Sequence, residues 1–150
     1  MKNKHLLQSV LTRHEGKVNK VYLDSLGYKT AGIGHLLVGD ETSMAVGTIV
    51  SEEEIQAWFE KDCEDAIAFA RKFVPGLDGL DEVRQIVIVS LAFNLGGKLA
   101  QFKNSLKFIN AKDWSNAAAN LKLSKWYGQV GRRGPELCSA LEKGFFGYAT

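Results

Sequence analysis

The chain has 150 residues, 45% of them apolar and 24% charged, which suits one compact domain and is too short for two ordinary ones. Nineteen Lys and Arg against seventeen Asp and Glu leave a formal net charge of +2. That balance argues against a disordered polyelectrolyte or a dedicated nucleic-acid binder, while mild basicity favours anionic polymer surfaces. Two Pro and fifteen Gly form no collagen-like or low-complexity pattern.

No uninterrupted apolar run approaches the ~18 residues of a membrane span, which points away from stable membrane insertion. The opening Met1-Lys2-Asn3-Lys4-His5 is basic like the start of a signal peptide, but the apolar run after it breaks at once, so no secretion signal is read. Cys63 and Cys138 lack a CxxC partner and zinc-finger His spacing, and are read as reduced thiols.

Leu6, Leu7, Val10, Leu11 and His14 recur at helical spacing behind Asn3, a good N-cap, and Gly16 offers a stop, so a first helix is expected over 3–14 or 15. Val21-Tyr22-Leu23 and Tyr28 to Ile33 flank Asp24-Ser25-Leu26-Gly27, which predicts a β-hairpin. From Leu36 to Val50, Gly39-Asp40 and Gly47 predict further short strand and loop, closing a small lobe over about 15–50.

Ser51-Glu52-Glu53-Glu54 reads as a capping box that opens a long connecting helix over about 51–73. Its apolar stripe of Ile55, Trp58, Phe59, Ala66, Phe69 and Phe73 carries Asp62 on the same face, and a carboxylate there needs a partner. After Pro75-Gly76, Asp81-Glu82 start a segment over Val83–Phe93 that is apolar on nearly every side, as a central buried helix would be, and Gly96-Gly97 stops it. Shorter helices are predicted at Ser105–Asn110, Asp113–Leu123 and after Gly134-Pro135. The expected fold class is α+β and mostly helical: a single domain over 1–150, with a small hairpin lobe joined by the long helix to an all-helical lobe over about 74–150 that also takes the first helix. Two lobes sharing a helix commonly enclose a cleft.

Several familiar chemistries drop out. Gly32-Ile33-Gly34 is not followed by the glycine or Gly-Lys-Ser/Thr of a phosphate loop, and His14-Glu15 lacks the second His of a zinc-protease helix, since position 18 is Val. No G-x-S-x-G elbow is present. Lys122, Lys125, Trp126-Tyr127 and Arg132-Arg133 form a short basic and aromatic stretch, more often a solvated face or sugar subsite than a nucleic-acid surface.

What remains is Glu15 at a helix end, Asp24 at the hairpin turn and Thr30 on the returning strand. By pattern alone, a Glu and an Asp near a turn are usually solvated surface charges. Yet Glu15 falls at the negative end of a helix dipole, which disfavours its charged form and suits a proton donor, while turn amides can support an ionised Asp24. The period-two rule puts Thr30, Gly32 and Gly34 on one strand face, where a bulky polymer could lie close.

The run His14-Glu15-Gly16, then Tyr22-Leu23-Asp24-Ser25-Leu26-Gly27-Tyr28-Lys29-Thr30-Ala31-Gly32-Ile33-Gly34-His35-Leu36-Leu37, resembles the phage-type lysozymes, a muramidase family, in spacing as well as identity. The likeness continues through Phe93, Phe102-Lys103-Asn104-Ser105-Leu106, Asn120-Leu121 and Ser124-Lys125-Trp126-Tyr127, and Arg132-Arg133-Gly134-Pro135-Glu136 looks like lambdoid-phage members. The resemblance implies a lysozyme-like fold and an endolysin that cuts the β-1,4 bond between N-acetylmuramic acid and N-acetylglucosamine in bacterial peptidoglycan, with inversion. In that scheme Glu15 is the general acid, and Asp24 with Thr30 readies a water. Leu36, Phe93, Ser105 and Asn120 correspond to substrate-contacting positions, although on pattern alone Phe93 reads as core, Ser105 as a cap and Asn120 as a surface amide. It further implies no metal or cofactor, a monomer, and accumulation in the host cytoplasm until the membrane is permeabilised.

His35 and Asp62 correspond to a paired His and Asp, read as an ion pair that joins the hairpin to the long helix and raises the His pKa. The segment over 39–50 is shorter than in T-even members, and Lys125 stands where they carry Arg, so subsite contacts can differ. Two other readings are a non-catalytic peptidoglycan-binding module and a non-hydrolytic transglycosylase.

Overall fold

The structure is a computed structural model that describes residues 3–148. Among these residues are seven α-helices: α1 (Lys4–Glu15), α2 (Glu52–Phe73), α3 (Glu82–Leu95), α4 (Lys103–Asn110), α5 (Trp114–Lys122), α6 (Lys125–Gln129) and α7 (Arg133–Lys143). One antiparallel sheet runs in the order β1 (Val18–Leu23), β2 (Lys29–Gly32), β3 (His35–Leu36). The fold is α+β and mostly helical, as the periodicities predict. The chain divides into two compact units, Leu11–Glu64 and the remainder, with both boundaries inside helices, α1 and α2.

Local chemistry sets the helix ends. Asn3 caps α1 by accepting from the Leu6 amide at 2.9 Å, and Gly16, at φ +74°, ends it with its own amide on the Thr12 carbonyl. The capping box at α2 is present: Ser51 Oγ accepts the Glu54 amide at 3.1 Å, and Glu54 Oε1 accepts the Ser51 amide at 3.4 Å. Asp81, Asp113 and Ser124 cap α3, α5 and α6 in the same way. Pro135 lies in the first turn of α7, where its missing N–H costs nothing.

In the larger unit α5 packs on α4 and α7, and α3 on α7. Ile86, Ile88, Leu91, Leu99, Ile109, Leu121, Leu137 and Leu141 are buried side chains of its core. Together with the 3-10 turn that follows it, α3 has the length and apolar composition of a membrane span, but its seven consecutive residues Ile86–Ala92 are buried in this core. Arg84 of α3 closes the end of α7: its Nε and Nη2 donate to the Leu141 and Glu142 carbonyls, each at 2.7 Å, while its guanidinium lies 4.9 Å over the Trp114 ring.

In the smaller unit Leu11, Val21, Ala31, Ile33, Leu37, Val50, Ile55, Phe59 and Cys63 form the core. The short strand expected from Leu36 onward is found only at Leu36 in β3, and one helix of the larger unit is not foreseen. The stretch after β3 holds a 3-10 turn over Gly39–Ser43 and a single bridge between Lys20 and Ile49. The hydrogen bonds from Thr42 Oγ1 to the Gly39 carbonyl and from Ser43 Oγ to the Asp40 carbonyl favour that tight turn over extension. The short α6, only five residues long, is absent from the predicted elements, because one and a half turns carry too little periodicity to read.

Candidate active site

Glu15 is the last residue of α1, and the left-handed Gly16 turns the chain away immediately after it. Its carboxyl lies against the backbone of Gly34: a Cβ at Gly34 would come within 2.6 Å of Glu15 Cδ, so only a residue without a side chain leaves the carboxyl its place. Gly34 also has φ +61°.

Asp24 opens the hairpin turn. Its Oδ1 accepts the amides of Leu26 at 2.9 Å and Tyr28 at 2.8 Å, while its own amide donates to the Tyr28 carbonyl. Two N–H groups thus fix the carboxylate, as the turn composition suggested, and Oδ2 carries no hydrogen bond to the described residues. Thr30 is buried, and its hydroxyl donates to the Tyr28 carbonyl at 3.0 Å. With that hydrogen committed, the Thr30 oxygen retains only acceptor capacity.

Sheet register sets the neighbours of Thr30. Tyr22 pairs with Thr30, and Thr30 with Leu36, so the three side chains form a row across the sheet. Ala31 and His35 pair in the next row, which is buried, and Leu36 on the other face is 48% exposed. Asp24 follows β1 directly, and its charge, after that of Glu15, acts on the Tyr22 phenol.

The expected run of Thr30, Gly32 and Gly34 along one open face is overturned. Gly32 and Gly34 have φ +65° and +61°, so the chain leaves extended geometry after Ala31 and the period-two rule no longer applies. Gly32 instead meets Ile55 of α2, where a Cβ would lie 3.3 Å from Cγ2, and Gly34 meets Glu15. The glycines make room for protein groups.

His35 is held from three sides. Its Nδ1 lies 2.7 Å from Asp62 Oδ2, its Nε2 lies 2.8 Å from Glu41 Oε1, and its ring stacks on Trp58 at 4.5 Å. Asp62 is the anticipated partner; Glu41, which also accepts the Val38 amide, is not. Burial pulls the His35 pKa down, but hydrogen bonds and charge from Asp62 and Glu41 outweigh it, and the net shift is upward. Glu41 is pushed up by burial and more strongly down by its bonds to His35, Val38 and Trp58, for a net lowering.

In the larger unit, Ser105 and Asn120 line one pocket of about 570 Å³ with Gln101, Phe102, Lys103, Asn104, Leu123 and Ser124. The Ser105 hydroxyl donates to Asn120 Oδ1 at 2.7 Å, which leaves the Asn120 amide hydrogens as donors for another group. Phe93, half-buried near the end of α3, is not among the residues that line this pocket. Nearby in sequence, Trp126 Nε1 donates to Asn94 Oδ1 at 2.7 Å.

Glu41 escaped the reading of the sequence, and Tyr22 was given no role in it. Glu41 lies in a 3-10 turn with no periodicity to betray its direction. Tyr22 pairs across the strands with Thr30, a register that the sequence does not reveal.

A family model described as phage lysozyme matches residues 12–140. The chain is 30% identical to a probable T4-type lysozyme of Dictyostelium discoideum, over 92% of this chain and 94% of that one. It is 32% identical to an endolysin of Salmonella phage P22, over 79% of this chain and 80% of that one. A peptidoglycan hydrolase of Pseudomonas phage phiKMV is 27% identical over 80% of this chain, which corresponds to 13% of that larger protein.

Proposed function

The chain belongs to the phage lysozyme family, and from that premise we propose that it is an endolysin that hydrolyses the β-1,4 bond between N-acetylmuramic acid and N-acetylglucosamine in bacterial peptidoglycan, with inversion at the anomeric carbon. The observation that supports this reading is the presence of unlike groups in one unit: Glu15 lies against Gly34, Asp24 and Thr30 both bond Tyr28, and the charges of Glu15 and Asp24 both act on Tyr22.

Glu15 gives its proton to the leaving glycosidic oxygen as the bond to the anomeric carbon breaks and the sugar gains oxocarbenium character. A water attacks that carbon from the opposite side. Asp24 Oδ2 takes one of its protons, and the Thr30 oxygen, able only to accept, takes a hydrogen bond from the other. The negative charge of Asp24 also favours the cationic transition state. A new reducing end results, and exchange with solvent restores both carboxyl groups. Acid–base chemistry of this kind calls on no cofactor.

We assign substrate contacts to Leu36 beside Thr30, and to Phe93, Ser105 and Asn120 of the other unit, where the Asn120 amide suits an acetamido or hydroxyl oxygen. The lobes anticipated over about 15–50 and 74–150, joined by the helix over about 51–73, remain our description of how this single domain is organised. The enzyme acts as a monomer on the wall, after release from the host cytoplasm.

Digestion of purified peptidoglycan, with the products resolved by mass spectrometry and NMR, tests this reading. New reducing ends that first appear in the α configuration support it. Anhydro-sugar ends would make the protein a transglycosylase, and binding without cleavage would make it a wall-binding module; either overturns the proposal.

A further inference from the structure

Tyr22 occupies an unusual position beside the two carboxyl groups. It is half-buried, stands next to Thr30 in the cross-strand row, and precedes by two residues Asp24, which follows β1 directly. Leu36 flanks Thr30 from β3, so that the buried hydroxyl sits between an aromatic ring and an exposed leucine. The Tyr22 hydroxyl has no hydrogen-bond partner among the described residues, although a half-buried phenol usually finds one. Burial, followed by the negative charges of Glu15 and then Asp24, holds its pKa above the ordinary value. At neutral pH the group is therefore an uncharged O–H donor within the field of both carboxyls.

Resting on the function proposed above, we propose that Tyr22 is a substrate-binding residue of the reaction face: its ring and Leu36 form the apolar wall on which a sugar lies, and its O–H donates to an oxygen of that sugar. The chemistry fits an N-acetylated saccharide, which presents acceptor oxygens at its rim and apolar C–H faces to a flat ring. A third carboxylate here would repel its neighbours, and a lysine would pair with them and compromise their roles. A neutral donor can orient the sugar without disturbing either.

The test uses Tyr22→Phe, which keeps the ring, and Tyr22→Leu, which removes it. On soluble uncrosslinked peptidoglycan strands, Tyr22→Phe raises KM about 3- to 10-fold, the worth of one hydrogen bond, with kcat within about twofold of the parent. Tyr22→Leu raises KM further. Binding of tri-N-acetylchitotriose, read by titration calorimetry, weakens in the same order, and the thermal midpoint of Tyr22→Phe stays near that of the parent. An unchanged KM and an unchanged affinity in Tyr22→Phe would overturn the assignment, as would a parent that binds no chitotriose. A parent that binds the saccharide but cleaves no glycan would sink the hydrolase reading, and the binding series would still decide the role of Tyr22.

Discussion

Gly34 and the Glu15 carboxyl share a single space: the backbone of one lies where any side chain would displace the other. Two requirements meet at this glycine, a left-handed backbone and the absence of a Cβ. Gly34→Ala is therefore expected to cost about 1–2 kcal/mol in stability from the positive φ alone. It should also move Glu15 by enough to cut wall lysis about 10²-fold. Urea melts and turbidity assays of equal amounts of folded protein separate the two effects; activity per folded molecule near that of the parent would contradict this geometry.

Replacing the acid itself is the simpler case. Glu15→Gln keeps size and most hydrogen bonding but cannot donate the proton, so the rate of glycan cleavage should fall by about 10²–10⁴. Circular dichroism and the thermal midpoint should change little. Substantial residual cleavage would remove Glu15 from the acid role.

The bridge from Asp62 through His35 to Glu41 makes stability depend on pH in a stated direction. His35 is raised, so its contribution is complete below the ordinary imidazole value of about 6.5 and fades as pH rises through the higher folded value. Glu41 is lowered, so its contribution is complete above its ordinary value of about 4.5 and fades as pH falls through the lower folded value. Glu41→Gln keeps an acceptor but removes the charge; with Glu41 partly exposed, the loss should be about 1 kcal/mol. That loss should be greatest between pH ~4.5 and ~6.5 and shrink above it. NMR titration of the His35 ring should show its midpoint lower in the variant than in the parent; coincident midpoints would mean that Glu41 does not hold the imidazolium.

Arg84 supports the fold away from the catalytic groups. Arg84→Lys cannot reproduce two parallel bonds to the Leu141 and Glu142 carbonyls, nor the stacked guanidinium over Trp114. A loss of about 2 kcal/mol in urea unfolding is expected, with lysis per folded molecule unchanged.

Ser90 offers the opposite sign. It is 1% exposed within α3, and its hydroxyl has no hydrogen-bond partner among the described residues. Ser90→Ala removes a buried polar group and adds helix propensity, so the protein should gain about 1 kcal/mol. A melt unchanged or lowered by the substitution would show that this hydroxyl is satisfied after all.

The amino-acid sequence alone determined the elements that depend on near neighbours. Asn3, Ser51 with Glu54, Asp81 and Asp113 cap helices through residues three positions away, and α3, apolar on nearly every side, could only be buried. Asp24 fixes its own turn for the same reason. Family likeness then singled out Glu15, Asp24 and Thr30 before any contact was known. Tertiary structure alone decided what met across the chain. The left-handed backbone at Gly32 and Gly34 turned two supposed open positions toward Ile55 and Glu15, Glu41 joined Asp62 on His35 from a turn without periodicity, and strand register set Tyr22 beside Thr30. Hydrophobic period and capping chemistry report only the residues that follow one another within a turn or two. Which side chains face each other over dozens of positions depends on register and packing, and those emerge only when the whole core closes.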